Sequence, residues 1–207
     1  MGALNLPLNE SQLGVDNYRG VHPLSLISAR DLFELVLERI IHIQNPFLFK
    51  TKAQMCEGLP IAQLAHLVPQ TVSCDGFAQR VTHTPQCGAC TSCILRRQSL
   101  LAAGLAEYDT AAGYRFDAFG GQTVLASNQG YGLWAMLDQV VKLSRCLSSH
   151  DLWRALPDSF LQLAQAQATL VAHGDYSHGT VRTGLLQMYA AYIREWKGLP
   201  VGRALAA

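Results

Sequence analysis

The chain has 207 residues, enough for one domain or for a domain with an appendage. Its 49% hydrophobic and 15% charged content supports a buried core and excludes a disordered, highly charged chain. A formal net charge of +1 gives no global electrostatic case for a nucleic-acid partner, and no apolar run is long enough to span a bilayer.

Residues 3–8 (ALNLPL) read as a short strand ending at Pro7. Residues 9–23 are rich in turn formers. From Ser25 or Ser28, the spacing of Leu32, Phe33, Val36, Leu37, Ile40 and Ile41 predicts a helix to about His42, stopped by Asn45-Pro46. Phe47 to Lys50 reads as extended. Thr51 fits the N-cap of a helix over 52–58, and another short helix covers 60–67. Thr71-Val72-Ser73 is a candidate strand that delivers Cys74. Residues 91–104 read as a helix with Gly104 as its stop. Residues 109–127 are mixed, with one or two short strands. Helices then follow at roughly 129–148, 151–155, 158–173 and 179–197, with a break at His173-Gly174-Asp175. Trp134, Trp153, Tyr189, Tyr192 and Trp196 are expected in core or interface packing.

Four cysteines carry the strongest chemical signal. Cys74, Cys87, Cys90 and Cys93 follow the pattern C-x12-C-G-x-C-x2-C. Three thiols at three-residue intervals, with a fourth returned by a loop, suit one tetrahedral ion. Soft thiolates favour zinc or iron–sulfur over magnesium or calcium, and zinc is placed first. Two disulfides, or free buried thiols, are the alternatives. The opening MGALNLPLNESQLG lacks a basic n-region and an apolar h-region, which points to a reducing cytoplasm where stable disulfides do not persist. Gly88 suits a backbone of positive φ beside Cys87. Four thiolates leave no open position, so the zinc reads as structural. His83, between Cys74 and Cys87, is a spare ligand candidate. Cys56 and Cys146 are expected to pack as small apolar residues.

Other residues offer two readings each. Lys50 and Lys52 flank Thr51 at the mouth of a short helix, which fits a phosphate site or a capped surface helix with two solvated lysines. Arg96 and Arg97 offer planar forks for phosphate or carboxylate, with at most one facing a site; the alternatives are a partner for a zinc thiolate or a surface residue. Arg19 and His22 lie in a loop ahead of a helix, where solvation is the ordinary outcome. Asn5 could meet a base edge or make a turn contact. Asp175, His178 and Arg182 form a polar cluster or cap helices.

The knuckle with its basic sequel, C…CGACTSCILRR, resembles the carboxy-terminal zinc motif of 7-cyano-7-deazaguanine synthase, a PP-loop ATPase of queuosine biosynthesis. NPFLFKTKAQM followed by TVSC resembles the TKAE segment of that family and the strand leading to its first zinc cysteine. The opening LNLPLNESQLGVDNYRGVHP is similar to a divergent branch that includes the synthase-like component of the Qat anti-phage defence system. The resemblance covers about residues 3–117. Gln54 stands where the family has Glu, and Gln12 where the branch has Arg. The first knuckle loop is longer, and no SGGxDS-type PP-loop occurs in the 207 residues.

The resemblance implies an α/β fold of the HUP/PP-loop ATPase type, represented by its carboxy-terminal portion. This chain is then expected to be mostly α-helical with a few short strands and a zinc knuckle. Its expected segments are the end of the ATPase-like core (1–73), the knuckle with its following helix (74–110) and a helical region (111–207). The implied chemistry is adenylation of a carboxylate, then amide or nitrile formation. ATP and Mg2+ would bind only with the amino-terminal half, supplied by a partner chain or an upstream segment. The substrate would be a small carboxylate or a protein. Lys52, Thr51, Arg96, Arg19, His22 and Asn5 become candidates for substrate or phosphate contact. The competing expectation is a catalytically inactive, zinc-stabilised interaction module of a defence complex.

Overall fold

A computed structural model of the chain describes residues 6, 21–76, 86–119, 130–160, 162–173 and 176–201. Among the described residues eight helices run in the order α1 (Pro23–Leu37), α2 (Lys52–Cys56), α3 (Gly58–Ile61), α4 (Thr91–Ala102), α5 (Tyr131–Leu147), α6 (Leu152–Ser159), α7 (Gln162–Ala172) and α8 (His178–Lys197). Short 3-10 turns cover Ala65–Gln70, Ala106–Tyr108 and Ala111–Gly113.

The expected α/β fold is not what forms. Among the described residues there is no β-strand and no sheet, only an isolated parallel bridge between Gln86 and Tyr114. The physical reason is visible at the candidate strand Thr71–Ser73. Its backbone pairs with a side chain: Ser73 N donates to Gln86 Oε1 at 3.3 Å, and Gln86 Nε2 donates to the Thr71 carbonyl at 3.2 Å. An amide side chain satisfies these groups where a neighbouring strand would have done so. Phe47 to Lys50 is likewise a turn: Phe47 N donates to Asn45 Oδ1, and Leu48 N and Lys50 N donate to the carbonyls of Asn45 and Phe47. The expected strand over 3–8 lies outside the described residues except for Leu6, which is buried.

The helices start where local chemistry says they should. His22 is the N-cap of α1, its Nδ1 accepting from Leu24 N at 3.3 Å, with Pro23 at the first helical position. Asp151 caps α6 by accepting from Arg154 N. Ser177 Oγ accepts from Thr180 N at the start of α8. Gly104, at φ +73°, follows α4 as the left-handed stop. Helix α1 ends five residues earlier than the periodicity suggests, because Glu38 turns left-handed at φ 49°.

The chain divides into two compact units. The first takes residues 1–51 and 142–191. Within it α1 packs on α7, and α6 packs on α7. Arg30 contacts Asp31 and also His173 Nδ1, at 2.9 Å. Arg182 lies over the Trp153 ring at 5.2 Å. The second unit takes residues 52–141 and 192–207. There α2 packs on α4, and Ala65, Val68, Leu100 and Leu105 form an apolar cluster with Cys56, Leu59 and Tyr108. Tyr192 and Trp196 are wholly buried and meet edge to face at 6.2 Å; Trp196 also stacks on Phe119 at 6.3 Å. Trp134, by contrast, is half exposed. Among the described residues no helix is long and apolar enough to cross a membrane.

Candidate metal centre

The second unit gathers the four predicted cysteines. Cys74 ends the segment that follows the Ala65–Gln70 turn. Cys87 opens a tight turn, Cys90 is the N-cap of α4, and Cys93 sits in its first turn. Cys74, Cys87 and Cys93 are buried and Cys90 is half-buried. All six cysteines of the chain are free thiols. The four sulfurs of the group lie within 4.8 Å of one another, and Cys87 Sγ and Cys93 Sγ are 3.9 Å apart. Tetrahedral zinc with Zn–S bonds of about 2.3 Å sets its sulfurs about 3.8 Å apart. The residues present therefore fit one such ion. A cluster that gives each thiolate its own iron would spread the sulfurs further.

Backbone N–H groups already point at these sulfurs. Ala89 N and Cys90 N approach Cys87 Sγ at 3.4 and 3.2 Å, and Cys93 N approaches Cys90 Sγ at 3.5 Å. Such donors, with the amino terminus of α4, stabilise negative sulfur. The thiols are unequal. Cys90 is lowered to about 5, chiefly by its hydrogen bond with Cys93. Cys93 is raised, first by that bond and then by burial. Burial is also the main cause that raises Cys87. A bound ion would take all four as thiolates.

The turn is built around Gly88. It sits at φ +77°, and a Cβ there would overlap the Phe116 carbonyl. Gly132, at the start of α5, closes the other side: a Cβ there would lie 2.8 Å from the Ala89 carbonyl oxygen.

Sequence reasoning missed the groups that hold the cysteine segments together. Buried Gln86 ties Ser73 and Thr71 to the turn, and Cys93 Sγ donates to its Oε1 at 3.4 Å. Arg115 N donates to the Gln86 carbonyl at 3.0 Å. Tyr114 packs on the cysteines and donates its hydroxyl to Asp109 at 2.9 Å. Burial, then the Asp109 carboxylate, raises the Tyr114 phenol. The only early signal was position: Gln86 adjoins a ligand.

Arg96 is the hub of this network. Its Nε pairs with Asp109 Oδ1 at 3.2 Å, and its other nitrogens donate to Thr71 Oγ1 at 2.6 Å and the Val68 carbonyl at 2.7 Å. It thus joins the segment before Cys74 to the segment after α4. Arg97 is buried against the rings of Tyr114 and Phe119, with Asp117 Oδ1 3.1 Å from its NH1. The remaining candidates are not gathered here. Thr51 is fully buried, Lys52 is exposed at the first position of the five-residue α2, and His22 caps α1 in the other unit. Asn5, Arg19, His83 and Asp175 lie outside the described residues.

Set against protein families, curated proteins and solved structures, the chain matches none.

Proposed function

We propose that the second unit is a zinc-stabilised module whose single ion is structural. The four convergent thiols carry this reading: they offer four ligands, with Cys87 and Cys93 spaced as a tetrahedral ion requires. When bound, the ion would supply folding energy, because the unfolded chain holds no preformed site. Zinc content should be one equivalent per chain. X-ray absorption at the zinc edge should return four sulfur neighbours at about 2.3 Å. A nitrogen or oxygen ligand in that shell, or no bound zinc after purification under reducing conditions, would sink the reading.

The wider role proposed for this module is the carboxy-terminal part of a 7-cyano-7-deazaguanine synthase-like enzyme, in deazaguanine chemistry or anti-phage defence. C-x12-C-G-x-C-x2-C and the NPFLFKTKAQM segment support it. ATP and Mg2+ then belong to a PP-loop-bearing partner chain or upstream segment, in the cytoplasm. Purification of the protein from its native locus tests this. An associated SGGxDS sequence with ATP-dependent turnover of a carboxylate is the expected result; its absence overturns the enzyme reading. One observation favours the second reading, an inactive interaction module: the Arg96 guanidinium contacts Asp109, Thr71 and Val68 of its own chain.

A further inference from the structure

We infer that Arg97 is the counter-charge of the four-cysteine centre: its buried guanidinium offsets the negative charge that four thiolates leave around one zinc ion. This rests on the structural-zinc reading above. Four thiolates outweigh one divalent cation, so the loaded centre carries a net double negative charge. Such a charge among buried side chains is costly unless a cation lies close to it.

Arg97 has the position for this. It follows Cys93 by four residues on α4, so the two side chains share one face of that helix. A long helical side chain runs back over the preceding turn, which here carries Cys93. Tyr114 connects the two: it packs on the cysteines, and the Arg97 guanidinium lies over its ring at 5.0 Å.

The partners of Arg97 leave its charge short of compensation. Its side chain is 11% exposed, and Asp117 Oδ1 lies 3.1 Å from NH1. That carboxylate is 35% exposed and also accepts from Phe119 N at 3.0 Å. The pair is close but poorly aligned: Arg97 Nε and NH1 are buried with no hydrogen-bond acceptor among the described residues. A buried cation with two unmet N–H groups belongs beside an anion. Arg96 is placed differently, because three oxygens of its own chain already hold it.

The zinc affinity of the full chain, measured by competition with a chromophoric chelator under reducing conditions, tests this. Arg97→Met keeps the length and the packing on Tyr114 and Phe119. It should raise the zinc dissociation constant about 10–100-fold, the usual cost of losing a group that supports metal ligands. Arg97→Lys keeps the charge and should hold zinc more tightly than Arg97→Met. Asp117→Asn can still accept from Phe119 N and removes the competing anion, so it should lower the dissociation constant about threefold or more. A merely structural Arg97 gives the opposite sign, because loss of the Asp117 charge would then loosen the packing around Tyr114. The inference is overturned if Arg97→Met stays within about threefold of wild type. It is equally overturned if Arg97→Lys binds no better than Arg97→Met, or if Asp117→Asn leaves the affinity unchanged or weaker. Should Arg97→Met fail to fold, the sign of the Asp117→Asn effect decides. A wild-type chain that holds no zinc overturns the structural-zinc reading, and this inference with it.

Discussion

Replacing Arg96 by alanine deletes three polar contacts at once and strands a buried carboxylate. The Arg96 and Asp109 side chains are only 9% and 4% exposed, so water cannot replace the lost partner cheaply. Removing one member of a buried pair costs about 3–5 kcal/mol, most of it from the charge left behind. The bonds to Thr71 Oγ1 and the Val68 carbonyl are not simply additional, because both oxygens regain some solvent once the long side chain has gone. The expected loss is therefore about 3–5 kcal/mol for zinc-saturated protein. At this chain length each kcal/mol moves the melting temperature about 2–4 °C, so a fall of roughly 6–20 °C is expected. Urea denaturation under saturating zinc would measure the loss directly. Arg96→Leu combined with Asp109→Leu should recover much of it, since no charge is then left unpaired. If Arg96→Ala costs less than about 1 kcal/mol, the reasoning fails, and Arg96 behaves as the surface or ligand-facing residue that the sequence also allowed.

Cys90→Ser should lose zinc and destabilise the second unit, whereas Lys52→Ala should keep both the metal and the fold; zinc analysis with thermal melts separates them. Gly88→Ala should cost about 2 kcal/mol or more, from a non-glycine residue held at positive φ plus the collision with the Phe116 carbonyl, read by urea denaturation. Burial raises the phenols of Tyr114, Tyr189 and Tyr192 above the ordinary value of 10.0. A raised phenol favours folding while it stays protonated, so this contribution is complete below about pH 9 and is lost as pH rises past about 10. Stability measured between neutral and strongly alkaline pH should show that fall, and Tyr189→Phe should reduce it.

The four-cysteine group was legible because its chemistry is local. Cys87, Cys90 and Cys93 span one turn and the start of a helix, so spacing alone brings three sulfurs together. Gly88 was legible for the same reason. The network around Arg96 was not. It joins Val68, Thr71 and Asp109, and whether a following arginine turns to substrate or to its own chain depends on where those residues return. Gln86 shows the same limit for secondary structure. Thr71-Val72-Ser73 has strand-like residues, yet an amide 13 to 15 positions away takes the bonds a neighbouring strand would have made.

Helix α1 shows a different limit. Leu32, Phe33, Val36 and Leu37 recur at helical spacing, and the helix does form there. Periodicity reports which residues share a helix, not how much of that helix the chain itself covers. The chain packs only the first half of α1 within its own unit, and the second half keeps its apolar residues in water. Leu35 makes the distinction concrete. A core leucine replaced by glutamate would unfold the unit, whereas Leu35, 77% exposed, should accept the charge with little loss of folding free energy, read by urea denaturation.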